Sequence, residues 1–204
     1  MEDKNKLEKI HSLIGDIEAQ LLHAKQMLAD FGPVDESRHA RERAEEVGST
    51  GESYGGNFVE GVFDGCNMIG PDGKTYTVPA NYASKSKLVE GDIMKLTIKD
   101  DGTFIYKQIG PVLRNRQMGV LVRDENGSYK AVTENGRSHK LLTASVTYFK
   151  GEPGDTAILL TPQDMPSRWA AVENIVGEGS SEALDLLEGG FDAELDIGDS
   201  VEIG

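Results

Sequence analysis

Four histidines, one cysteine and a Ser-x-x-Lys match are the residues of this chain whose types could support catalysis, and their spacing argues against it. His11, His23, His39 and His139 are scattered. His11 and His23 fall on a predicted helix with no carboxylate at metal-ligand spacing, and His139 falls within a predicted strand. Cys66 sits beside a turn with no histidine near it in sequence to draw off its proton. One cysteine also excludes an internal disulfide framework and a thiolate metal cluster. Ser84 and Lys87 match Ser-x-x-Lys, but in a polar, loop-like stretch. The 24 glycines include no Gly-x-x-x-x-Gly-Lys-Ser/Thr phosphate loop. No catalytic set, metal site or cofactor site is expected, and the enzyme reading reduces to an unrecognised site between two modules.

Binding chemistry is better represented. Lys85, Lys87 and Lys95 cluster in one stretch, Lys107, Arg114 and Arg116 follow, and Tyr82 and Tyr106 are interleaved with them. Bases that neutralise phosphates beside rings that stack on nucleobases suit a single-strand binding module. The competing reading is a mixed surface, because Glu90, Asp92, Asp100 and Asp101 share the stretch.

The elements that would carry these residues read as β structure. Asn126-Gly127, Asn135-Gly136, Asp72-Gly73 and Asp101-Gly102 predict tight hairpins of type I′. Alternation in Thr75–Val78 and Met94–Ile98 supports strands with one buried face. A repeat of strands and turns runs through residues 57–111 and again through 112–176. Val78 precedes Gly91 by 13 residues and Leu141 precedes Gly154 by 13, and each glycine heads a Gly-Asp pair. The expected fold class is mainly β: tandem, duplicated small SH3/OB-like barrels behind an N-terminal coiled-coil helix. The alternative is one pseudo-twofold barrel built from both copies. The Leu-x-Glu-Gly-Asp pattern at 88–92 is similar to the Gly-Asp turn of swapped-hairpin and double-psi barrels, and equally to strand entries in OB and SH3-like modules. It identifies no family. The aspartate is expected to cap backbone N–H groups.

Before the repeat, Leu7, Ile14, Leu21 and Leu28 occupy one heptad position, and Ile10, Ile17, Ala24 and Phe31 lie three residues later. Strict a/d spacing is the seam of a coiled coil, so these eight residues predict a homo-oligomer. Gly32-Pro33 ends the helix. Residues 32–56 read as a polar linker that includes a candidate second helix at 35–47.

Net charge completes the picture. The total is −14, but residues 57–176 hold 14 bases and 14 acids, whereas residues 177–204 hold 9 acids and no base. In that tail Phe191, Leu195 and Ile197 alternate with acids after an apolar turn containing Leu186 and Leu187. The tail is expected to add as a strand to a sheet edge or to meet a protein partner. No apolar run is long enough to span a membrane, and a cytoplasmic, membrane-free protein is expected. The function expected is non-enzymatic adaptor work associated with transcription or translation machinery, by fold-level analogy. A nucleic-acid-binding regulator is the alternative.

Overall fold

The computed structural model describes residues 38–53, 56–177 and 201–203, together with the helical positions 6, 9, 10, 13, 14, 17 and 20. The chain divides into two units, Met1–Glu36 and Ser37–Gly204. In the first, Ile10, Leu13, Ile14 and Ile17 are helical and between 48% and 62% exposed. Leu7, Leu21, Ala24, Leu28 and Phe31 lie outside the described residues, as do Leu186, Leu187, Phe191, Leu195 and Ile197.

The second unit is mainly β, in two antiparallel sheets. The first contains β1 (Ser49–Ser53), β2 (Gly56–Phe63), β3 (Asn67–Ile69), β4 (Thr75–Thr77), β5 (Ile93–Lys99), β6 (Phe104–Gly110) and β12 (Val201–Ile203). Its order is β12-β6-β5-β2-β3-β4, with β1 also on β2. The second contains β7 (Arg114–Arg123), β8 (Tyr129–Thr133), β9 (Ser138–Lys140), β10 (Thr156–Pro162) and β11 (Ala171–Val176), in the order β11-β10-β7-β8-β9. Each sheet carries one short helix between its third and fourth repeat strands: α2 (Ala80–Lys85) and α3 (Thr143–Tyr148). Alternation buries one face of each. Phe63, Met68, Met94, Leu96 and Tyr106 fill the core of the first sheet, and Leu121, Ala131, Val146, Ala157 and Leu159 that of the second. Full burial of a side chain such as Leu96 contributes roughly 1.5–3 kcal/mol.

Neither sheet closes, and no strand of one pairs with a strand of the other. This corrects both barrel expectations. The three-residue strands β4 and β9 are followed at once by α2 and α3, so little backbone is left to complete a seam. One parallel bridge, Lys140–Trp169, spans the second sheet's open side. In the first, the Tyr106 hydroxyl donates to the Thr77 carbonyl at 2.9 Å.

The hairpins also differ from type I′. Gly73, Gly102, Gly127 and Gly136 have positive φ, but the Asp and Asn residues before them do not. Each of these glycines donates to the carbonyl three residues earlier, as Gly73 does to Gly70 and Gly136 to Thr133. Asp72, Asp101 and Asn135 instead use Oδ1 to accept the N–H two residues on. A type I turn closed by a left-handed glycine and stapled by an Asx side chain fits three-residue hairpin loops.

Within the stretch read as a linker, residues 38–53 form a helix and a strand. α1 (Arg38–Val47) places Ala40 and Ala44 against Val62 and Ile69, and β1 pairs with β2. Small side chains let the helix approach closely, which the sparse apolar content of this segment did not suggest. The last residues of the tail add to a sheet edge: β12 lies antiparallel on β6, with Val201 opposite Tyr106 and Ile203 opposite Phe104.

Candidate functional site

Backbone geometry repeats between the two sheets. Leu88 N–H donates to Ala83 and Gly151 N–H to Val146; Gly91 donates to Phe63 and Gly154 to Leu121. Lys87 and Lys150 both have positive φ, 48° and 56°. From Gly70/Thr133 through Pro79/Leu142 to Asp92/Asp155 the numbering differs by a constant 63 (133−70, 142−79, 155−92). The Gly-Asp turns perform the capping role expected of them. Asp92 Oδ2 accepts from Val89 N at 2.9 Å, and Asp155 Oδ2 from Glu152 N at 2.8 Å.

Asp92 does more than its counterpart. Its Oδ2 also accepts from Gln108 Nε2 and from Arg114 Nη2, both at 2.8 Å, and its Oδ1 accepts from Val112 N at 3.0 Å. The side chains of Arg114 and Asp92 are 5% and 0% exposed. Burial pushes the Asp92 carboxyl up, against the pull of Arg114 and the backbone donors. One carboxylate thereby joins the turn after α2, the end of β6 and the start of β7, where the chain passes from the first sheet to the second.

The predicted contact residues therefore separate. Tyr82 and Tyr106 belong to the core; the Tyr82 hydroxyl accepts from Gln108 N, and burial pushes the Tyr106 hydroxyl up to about 12. Neither ring presents a stacking face. Lys95 pairs with Glu60 at 3.1 Å and sits 3.8 Å from the centroid of the Phe58 ring. Arg114 is held by Asp92 and Arg116 by Glu173. Lys107 is exposed on β6. Lys85 and Lys87 line one groove with an aromatic ring that the sequence did not single out.

That ring is Tyr148, at the end of α3 and 78% exposed. It meets Phe149 edge-on, with centroids 5.0 Å apart. Helices α2 and α3 pack against each other, and Ser145 Oγ donates to Ser84 Oγ at 2.8 Å. Beside this contact runs a groove of about 640 Å³, in which Lys85 and Lys87 face Ala144, Tyr148, Phe149 and Val172. Its lining mixes apolar and aromatic side chains with two lysines and the polar Asn81, Ser84 and Thr147. Arg116 offsets the Glu173 carboxylate, which also lines it. Tyr148 was missed because a Tyr-Phe pair at a helix end reads as core.

No nucleophile is assembled here. Ser84 Oγ is engaged by Ser145, not by Lys87. Cys66 is exposed, and partial desolvation of its thiol, aided by the Asp64 carboxylate, pushes it up and away from the thiolate form. Among the described residues there is no group of three or more His, Cys, Asp or Glu able to hold a metal, and no helix long and apolar enough to cross a membrane. Comparison with protein-family models, curated proteins and solved structures gives no match for this chain.

Proposed function

We propose that the protein is a self-associating, non-enzymatic binding protein whose groove between α2 and α3 takes an acidic, apolar segment of a protein partner. The observation that carries the self-association is the N-terminal stripe. Ile10, Leu13, Ile14 and Ile17 are helical yet 48–62% exposed, and Ile10, Ile14 and Ile17 fall on the a/d positions of an eight-residue heptad series. A second copy buries such a seam, because its own residues repeat at the same interval. The two β-modules are read as a duplication, supported by the constant offset of 63 between equivalent turns (133−70 and 155−92).

The groove sets the partner chemistry. Lys85 and Lys87 attract carboxylates, and Tyr148 with Phe149 offers apolar area on rigid rings. A transcription or translation assembly as the setting rests on fold-level analogy alone. Self-association would raise weak groove contacts through effective concentration. Nucleic-acid binding is the weaker reading, since Tyr82 and Tyr106 are buried and Arg114 and Arg116 are ion-paired.

Fluorescence anisotropy with a labelled acidic-apolar peptide tests the groove. Saturable binding is expected, weakened about tenfold or more by Tyr148→Ala, in line with the loss of an aromatic anchor. That side chain is exposed, so the fold should persist, which circular dichroism checks. A single-stranded oligonucleotide should give no salt-sensitive binding. Tight, salt-sensitive binding of the oligonucleotide with none of the peptide would reverse the ranking.

A further inference from the structure

The two modules differ most where they should agree. Register places Val59 opposite Leu96 in the first and Gln117 opposite Leu159 in the second. Ile98 faces Asn57 as Thr161 faces Asn115, and Tyr76 faces Met68 as His139 faces Ala131. Val59, Tyr76 and Ile98 all pack into the first core. The second module sets Gln117, His139 and Thr161 at these positions.

The exchange works against stability. His139 is 4% exposed and Thr161 is 6% exposed. Gln117 Nε2 donates to Thr161 Oγ1 at 3.1 Å and lies 3.5 Å from His139 Nε2. His139 Nδ1 is buried and makes no regular hydrogen bond, the Ser167 backbone beside it falling short of one. A buried polar group left without a partner costs about 1–3 kcal/mol. The first module shows that an apolar set suits the same backbone. Buried polar residues that weaken a core and converge on a cavity are the pattern of a ligand site.

The cavity is present. About 410 Å³ is lined by Gln117, His139 and Thr161 together with Asn115, Asn135 and Arg137, and the rim includes Ser167 and Asp164. Four side-chain amides, of Asn115, Gln117, Asn135 and Gln163, join a guanidinium and an imidazole as donors, against the single carboxylate of Asp164. Among the lining residues no Phe, Tyr or Trp is present. We propose that this pocket of the second module binds a small oxyanion, as a carboxylate or phosphate group, with Arg137 as its charge partner and the half-buried Gln117 and the buried His139 as its hydrogen-bonding partners. The pocket shares no lining residue with the groove, so the two can fail independently.

Long-range ¹H–¹⁵N NMR of the histidine side chains of the intact chain reads this directly. Inorganic phosphate and acetate are the two probes. Burial holds His139 below its ordinary pKa, and an anion beside the ring must raise it. The expected result is a saturable shift of the His139 resonances with one or both probes, and an upward move of its titration. Shift with phosphate alone assigns a phosphate ligand; shift with acetate assigns a carboxylate. Arg137 is exposed, so Arg137→Gln should fold normally and lose at least most of the shift. Gln117→Val with Thr161→Ile, the residues of the first module, should lose the shift while raising the denaturation midpoint. Unshifted His139 with both probes, or a shift that Arg137→Gln and the double variant leave intact, overturns the proposal.

Discussion

Asp92→Ala is expected to remove about 3–5 kcal/mol of stability, the usual cost of stranding one charge of a buried pair. A domain of this size has on the order of 5–15 kcal/mol in total, so the variant should lie near the edge of folding. The cause is specific. Arg114, its side chain 5% exposed, would keep its charge without a counter-ion, and Gln108 Nε2 and the Val89 and Val112 amides would lose their acceptor. Urea denaturation measures the loss as a fall in midpoint at unchanged slope. Asp92→Ala with Arg114→Met should regain much of it, because no unpaired charge remains. Equal losses in the single and double variants would mean that the hydrogen bonds to Asp92, and not the stranded arginine, set the effect.

Gly65→Ala is expected to be the second large effect, about 2–4 kcal/mol, from left-handed backbone strain plus overpacking. Gly65 has φ +101°, and an added Cβ would stand 2.2 Å from Trp169 Cδ1 and 2.3 Å from Trp169 Cγ. The bend after β2 thus works only because a glycine lets the indole of the second module lie across it. Trp169 is the one tryptophan in the chain, so the emission reports on the surroundings of this indole, which include Gly65 and Lys140. The variant should shift that emission to the red as the ring gains water. Gly73→Ala is the natural control. Its φ is +74°, but an added Cβ meets nothing within 4 Å. It should cost only the backbone strain, roughly 1–2 kcal/mol, with unchanged emission. Indistinguishable stability and emission in the two variants would refute the close approach of Trp169 to Gly65.

Local chemistry was legible in the sequence where it acts over a few residues. The Asp-Gly and Asn-Gly turns and the Gly-Asp caps are short-range features, and they reappear as backbone hydrogen bonds in the turns and as carboxylate caps on Val89 and Glu152 N–H. The class of turn was misread because the Asx side chain bonds its own loop, which keeps φ negative before the glycine. Interactions that span the sheets were not legible. Nothing local ties Arg114 to Asp92, 22 residues earlier, and as a pair of charges the two look like solvated surface. Tyr82 and Tyr106 read as a stacking platform until pairing showed that both face inward and satisfy their hydroxyls there. Ala40 and Ala44 looked too small to seat a helix, yet small side chains are what allow α1 to lie on Val62 and Ile69. The polar set in the second core needed strand register. Gln117, His139 and Thr161 are far apart in sequence and become conspicuous only against Val59, Tyr76 and Ile98.

Surface charge reads differently once the folded part is separated from the ends. Residues 57–176 hold 14 bases and 14 acids, and at least half of those bases pair with a carboxylate or lie over a ring. The net charge of the chain comes from its ends, 9 acids and no base lying in residues 177–204, and under the proposed function Lys85 and Lys87 supply the positive charge that an acidic segment would meet beside apolar area.

Multivalency is the feature that separates this account from that of a single soluble β-domain, and solution mass tests it directly. Light scattering of the intact chain coupled to size-exclusion chromatography should report an integral multiple of 22.1 kDa at high protein concentration. Ile14→Asp, a charge placed in the seam, should return the mass to that of one chain without altering the β signal in circular dichroism. A mass of 22.1 kDa for the unaltered chain at every concentration would contradict the account.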